Sequence, residues 1–177
     1  MVSRIVMAAV VGSSVCLAAQ QPSASPEAAA AHKRLEYFIG QWKIEGTAHD
    51  EQGGKAQPLR GTQKCEWFEI QGHVICRGET IDSSLTRKEV VILAYNPVLN
   101  LYTRYNVDGA SGGNGYSTGM VNGKDWQWTL VYPQTPTVQV RSSWTEVSPD
   151  VHSIMVDASE DGKAFTTLVE ARMTRVK

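Results

Sequence analysis

The 177-residue chain reads as an all-β protein, an antiparallel up-and-down barrel of about ten strands with a short N-terminal helix as lid or plug. Three observations carry this reading. From Trp42 onward the apolar residues alternate with polar ones, instead of recurring every three or four positions. Turn signals at Gly53-Gly54, Asn96-Pro97, Asn122-Gly123, Ser148-Pro149-Asp150 and Glu160-Asp161-Gly162 cut the chain into short strands, and no later segment is long and periodic enough for a crossover helix. A meander of this length has two exposed edges, and closure into a barrel removes them. A barrel of about eight to ten strands is also wide enough to hold one small ligand.

The N-terminus is set apart from that domain. Arg4 is followed by an uncharged apolar run, residues 5–19 (IVMAAVVGSSVCLAA), with small side chains at its end. This is the pattern of a cleavable export signal, residues 1–19, and the run is shorter than the roughly 20 residues a membrane span needs. The expectation is a periplasmic or secreted protein with no stable membrane insertion once the signal is removed. An acylated Cys16 is disfavoured by Val15, which stands where a small residue is wanted. Residues 20–31 (QQPSASPEAAAA) form a low-complexity linker, and residues 32–177 the barrel domain. The linker runs into a helix: Ser25 suits the N-cap, Pro26 the first helical position, and Glu27 the positive end of the dipole. Ala31, Leu35, Phe38 and Trp42 give that helix an apolar stripe, and Gly40 stops it.

The strands follow in order. Trp42, Ile44 and Gly46 alternate with Lys43 and Glu45. Residues 60–69 and 72–81 form a hairpin that places Cys65 opposite Cys76. With Cys16 leaving in the signal, these two cysteines form an even pair, which in an exported chain reads as a disulfide. Closing so short a loop stabilises by about 3 kcal/mol. Residues 88–95 (KEVVILAY) and 101–107 pair through a turn at PVLN. Residues 116–121 turn at Asn122-Gly123 into 125–132, where Trp126, Trp128, Leu130 and Tyr132 share one face. Residues 137–147 put Val138, Val140, Ser142 and Trp144 on one face and Arg141 on the other; residues 151–158 and 165–175 complete the set.

HKRLEYFIGQWKIEG, GTQKCEWF with VIC after it, AYNPVLNLYTRY, DWQWT and the closing SEDGKAFTTLVEARMTR together resemble the bacterial domain-of-unknown-function family 1579, over residues 32–175. The resemblance implies a lipocalin-like barrel of the calycin type, often exported. In architecture it is similar to fatty-acid-binding proteins and nitrobindins, and it implies no established activity.

Chemistry is harder to read than fold. With 42% hydrophobic and 20% charged residues and a net charge of −1, the chain has no basic field for nucleic acid. Gly109 to Gly113 (GASGG) matches the nucleophile elbow, with Asp125 or Asp150 and His152 downstream, but NGYSTGMVNG is not the helix that an elbow requires. A barrel-mouth hydrolase or isomerase therefore stands as an alternative without a catalytic set. The four histidines, His32, His49, His73 and His152, show no metal-ligand spacing, so neither metal nor cofactor is assigned. Nitrobindin-like haem binding would want a histidine near the C-terminus, and the last strand has none; His152 lies one strand earlier. A structural barrel with a filled interior is the third alternative, since the many tryptophans and tyrosines are ordinary core material.

The leading expectation is a barrel that binds a small apolar or amphipathic molecule. Arg77, Arg104, Arg141 and Arg172 fall within strands, and an inward arginine would hold a ligand carboxylate bidentately. The candidate ligand-binding residues are Tyr105, Arg141, Trp128 and Arg77. The Arg-x-Tyr of fatty-acid-binding barrels reads Arg172-Met173-Thr174 here and is not carried over.

Overall fold

The computed structural model describes residues 25–49, 55–69, 72–82, 85–109, 114–132 and 135–177. Residues 1–24, which include the expected export signal and Cys16, Gly53-Gly54 and residues 110–113 of the GASGG stretch lie outside the described residues. A helix, α1 (Pro26–Arg34), and a 3-10 turn (Leu35–Phe38) precede ten strands: β1 (Gly40–Ala48), β2 (Gln57–Trp67), β3 (His73–Ile81), β4 (Thr86–Asn96), β5 (Leu101–Asp108), β6 (Asn114–Asn122), β7 (Asp125–Tyr132), β8 (Thr135–Ser148), β9 (Val151–Ser159) and β10 (Thr166–Arg175). Each strand pairs antiparallel with its neighbours in sequence. β1 also pairs with β10, from Trp42 opposite Arg175 to Ala48 opposite Val169, so the sheet closes on itself and no strand is an edge.

Local chemistry sets the register. Asn122 and Asp125 close the two-residue turn between β6 and β7, and Gly123 takes the left-handed φ of 59° that this turn demands. Asn96 caps the β4–β5 turn, its side-chain oxygen accepting from the Val98 and Leu99 amides. Cys65 lies directly opposite Cys76 and the two are joined by a disulfide, both side chains pointing into the barrel.

The helix begins where the capping signals place it, so Pro26 to Ala31 are helical and only the earlier part of the 20–31 linker precedes it. Ser25 Oγ accepts from the Ala28 amide, Pro26 stands in the first turn, and His32, Lys33 and Arg34 face the negative end of the dipole. The apolar stripe is shorter than the spacing predicts. The helix tightens to 3-10 geometry at Leu35 and the chain is extended from Ile39, so Trp42 belongs to β1. Leu35 and Phe38 enter the barrel from below and act as its plug. Polar contacts fix the plug there: Trp42 Nε1 donates to the Phe38 carbonyl at 2.8 Å, Tyr102 Oη to Ala31 at 3.1 Å, and Tyr37 Oη to Val151 at 2.9 Å.

The bulky aromatics are concentrated at that end. Trp42, Trp126, Trp128, Tyr102 and Phe38 form one buried cluster with Leu35, Leu93 and Met173. Gly119 makes room for it. A Cβ there would come 2.5 Å from Trp128 Cε3, so the indole occupies the space a side chain would take. Gly119→Ala is expected to lower stability by about 1–2 kcal/mol through overpacking, read as a lower urea midpoint with an unchanged slope.

Candidate ligand-binding site

Because the aromatics fill only the plugged half, the other half is hollow. A cavity of about 520 Å³ opens there, within the size range of pockets that take drug-sized molecules. Its floor is Phe38, Trp144, His152 and Met173; its walls include Val91, Leu93, Ile154, Val156 and Ala171. His49, Asp82, Arg87 and Glu89 stand toward the mouth, where β1, β3 and β4 meet their loops. Smaller side chains (Ala48, Thr80, Val91, Ala171) line this half, which is the physical reason it is open.

Arg104 projects into the middle of the cavity. On β5 it lies between Leu93 of β4 and Ser117 of β6, and its guanidinium reaches over the Trp144 ring of β8, 5.1 Å from the centroid. Its Nε has no hydrogen-bond partner, and no ion pair among the described residues includes it. Burial holds its pKa below the usual arginine range, with the Glu89 charge acting the other way.

His152 sits in the floor, 2% exposed, with the rings of Trp42, Tyr37, Phe38 and Trp144 within 6.2 Å of its own. Burial, and then the nearby Arg175 charge, bring its pKa down to about 4, so it is neutral at neutral pH. Below it the plug is locked by charge. Glu146, 8% exposed, accepts from Trp126 Nε1 at 2.7 Å and pairs with Arg34 of α1 at 2.8 Å. Arg34 also donates to the Gly123 carbonyl, tying the helix to the β6–β7 turn. Burial, helped by the Glu146 charge, pushes the Tyr37 phenol up to about 12, which keeps it a donor to the Ser148 and Val151 carbonyls.

The residues expected to bind ligand are dispersed. Arg77 is on the outer surface, paired with Glu66 at 2.8 Å. Tyr105 is 55% exposed and packs on Tyr116 outside the barrel. Arg141 lies exposed over the Phe165 ring, 3.7 Å from its centroid. Trp128 points inward but below the cavity, stacked beside Trp126 at 6.1 Å. In each outward case the adjacent residue enters the lumen instead: Cys76, Arg104 and Ser142. Arg104 was legible as a strand arginine, and only its direction was not. Ser111 of the elbow-like GASGG stretch lies outside the described residues, and Asp125 and Asp150 border turns at the plugged end. Among the described residues no group of three histidine, cysteine or carboxylate side chains could hold a metal, and no helix is long and apolar enough to cross a membrane.

Solved structures confirm the architecture. The S-type phycobiliprotein lyase CPES from Guillardia theta is similar at 10% identity with a TM-score of 0.60, over 83% of this chain and 93% of that one. Rv2717c from M. tuberculosis is similar at 13% identity with a TM-score of 0.59, over 86% of this chain and 99% of that one. At such identities the likeness concerns the fold alone. A search of the curated proteins finds no match. Residues 27–175 match the family described as protein of unknown function DUF1579, and the chain belongs to that family.

Proposed function

We propose that this protein binds one small amphipathic molecule in the lumen of its barrel. The observation that carries the reading is the cavity of about 520 Å³, closed below by the aromatic plug, walled by aliphatic side chains and bordered above by charged ones. Affinity would come from apolar burial, and orientation from the few polar groups that face inward. A haem is a poorer fit. The lumen histidine, His152, is enclosed by four aromatic rings and leaves little room for a macrocycle beside it. The reading includes export to the periplasm or beyond. Its support is the disulfide between Cys65 and Cys76, which persists in oxidising compartments, and the signal-like pattern of residues 1–19.

The test is the native mass of protein purified from the periplasm, compared with its denatured mass. The expected result is a native excess equal to one small molecule that disappears on denaturation. No excess, even after incubation with lipid extracts, would leave the cavity without a ligand and overturn the reading.

A further inference from the structure

The lumen carries a surplus of hydrogen-bond donors. Five buried side-chain polar atoms have no hydrogen-bond partner among the described residues: Arg104 Nε, Trp128 Nε1, Ser142 Oγ, Trp144 Nε1 and His152 Nδ1. All but Trp128 belong to residues that line the cavity. Guanidinium and indole N–H groups can only donate, and buried donors are almost always satisfied. Arg104 Nε and Trp144 Nε1 each call for an acceptor in the lumen, and the Ser142 hydroxyl, which can donate or accept, can serve the same one.

The arrangement is asymmetric in charge as well. Arg104 is a guanidinium at mid-depth with an aromatic face beneath it. Asp82 pairs with Arg87 at the mouth. Glu89 precedes Leu93, the residue opposite Arg104, by four residues on β4, about 13 Å apart at the backbone; its charge reaches Arg104 but forms no ion pair with it. Ser142 and Trp144 lie on one face of β8, two residues apart, so their donors flank the position the guanidinium reaches. A buried cation without a carboxylate is costly unless something anionic meets it.

We propose that the lumen ligand is a monocarboxylate with an apolar body, its carboxylate held by Arg104 with Ser142 and Trp144 as flanking donors. This deepens the lumen-binding reading and rests on it. The apolar body lies against Val91, Ile154, Val156 and Ala171. A single guanidinium suits a single negative charge in bidentate geometry.

The test uses the full mature chain and two probes of equal chain length, decanoate and decanol, followed by calorimetry. The wild type is expected to bind decanoate about 10- to 100-fold more tightly than decanol, the range of one charge-assisted bidentate pair. Arg104→Met should abolish that preference by weakening decanoate binding far more than decanol binding. Arg104→Lys, which keeps the charge without the planar fork, should retain part of it. Without ligand the Arg104→Met protein should melt at the same temperature as the wild type or a few degrees higher, because an unpaired buried charge is replaced by an apolar chain of similar length. Equal affinities in the wild type, or a preference that survives in Arg104→Met, would overturn the carboxylate site and leave lumen binding standing. Binding of neither probe would overturn both.

Discussion

Lowering the pH from 6.5 to 4 is expected to remove about 3 kcal/mol of folding stability through His152 alone. In the folded barrel this imidazole stays neutral down to about pH 4, because protonation would place a charge among aromatic rings and near Arg175. In the unfolded chain it takes a proton near its ordinary value of 6.5. Between those limits the unfolded state binds more protons, so stability falls as pH falls. The contribution is whole above pH 6.5 and spent below about pH 4. Glu146 lies opposite His152 in the β8–β9 register, yet it is committed to Trp126 and Arg34 and does not offset the burial. Urea melts at half-unit pH steps measure the slope. His152→Phe, which keeps a ring in the floor, should flatten it between pH 6.5 and 4. Parallel slopes in the two proteins would remove His152 as the cause.

Arg175→Met should cost about 3 kcal/mol and release the plug. The Arg175 guanidinium donates to the carbonyls of Tyr37, Ile39 and Pro149 and pairs with Asp150 at 3.2 Å. It also lies 4.2 Å from the centroid of the Trp42 ring. One side chain from the end of β10 thus holds the 3-10 turn, the β8–β9 turn and the first strand in one arrangement. Methionine keeps much of the contact with the indole and orphans the carbonyls. The figure is held near 3 kcal/mol because the arginine side chain is 23% exposed and the Asp150 side chain 41%, so solvent screens part of the pair. The local signature is hydrogen exchange: amides of α1 and the 3-10 turn should lose protection more than those of β3 to β6. An unchanged melting temperature together with unchanged exchange at the plug would refute the role. The two predictions are coupled, since Arg175 is part of what lowers the His152 pKa, and the Arg175→Met protein should lose less stability in acid.

The fold was legible for reasons local to the chain. Asn122-Gly123 determines a two-residue hairpin, Ser25-Pro26-Glu27 begins a helix, and Cys65 and Cys76 stand equally far from one turn. The inward direction of Arg104, the proposed carboxylate anchor, was not legible, and the loss can be traced. The inward face of Trp126 and Trp128 carries across the Asn-Gly turn to Gly119 and Ser117, because a two-residue turn preserves the count. The next step, from β6 back to β5, crosses Gly109 to Gly113, a glycine-rich loop whose geometry composition does not determine. An error of one residue there exchanges Arg104 for Tyr105. The same step separates Ser142 from Arg141 and Cys76 from Arg77.

By itself, then, the sequence determined an antiparallel closed barrel, its N-terminal helix and its disulfide, because alternation, caps and turn residues act over a few neighbouring positions. Only the tertiary structure decided which face of each strand is inside, that the tryptophans fill one half of the barrel and leave the other open, and that of Arg77, Arg104, Arg141 and Arg172 it is Arg104 that enters the hollow half. Those outcomes depend on the registers of ten strands at once, and a shift of one residue in any of them sends a side chain from lumen to solvent.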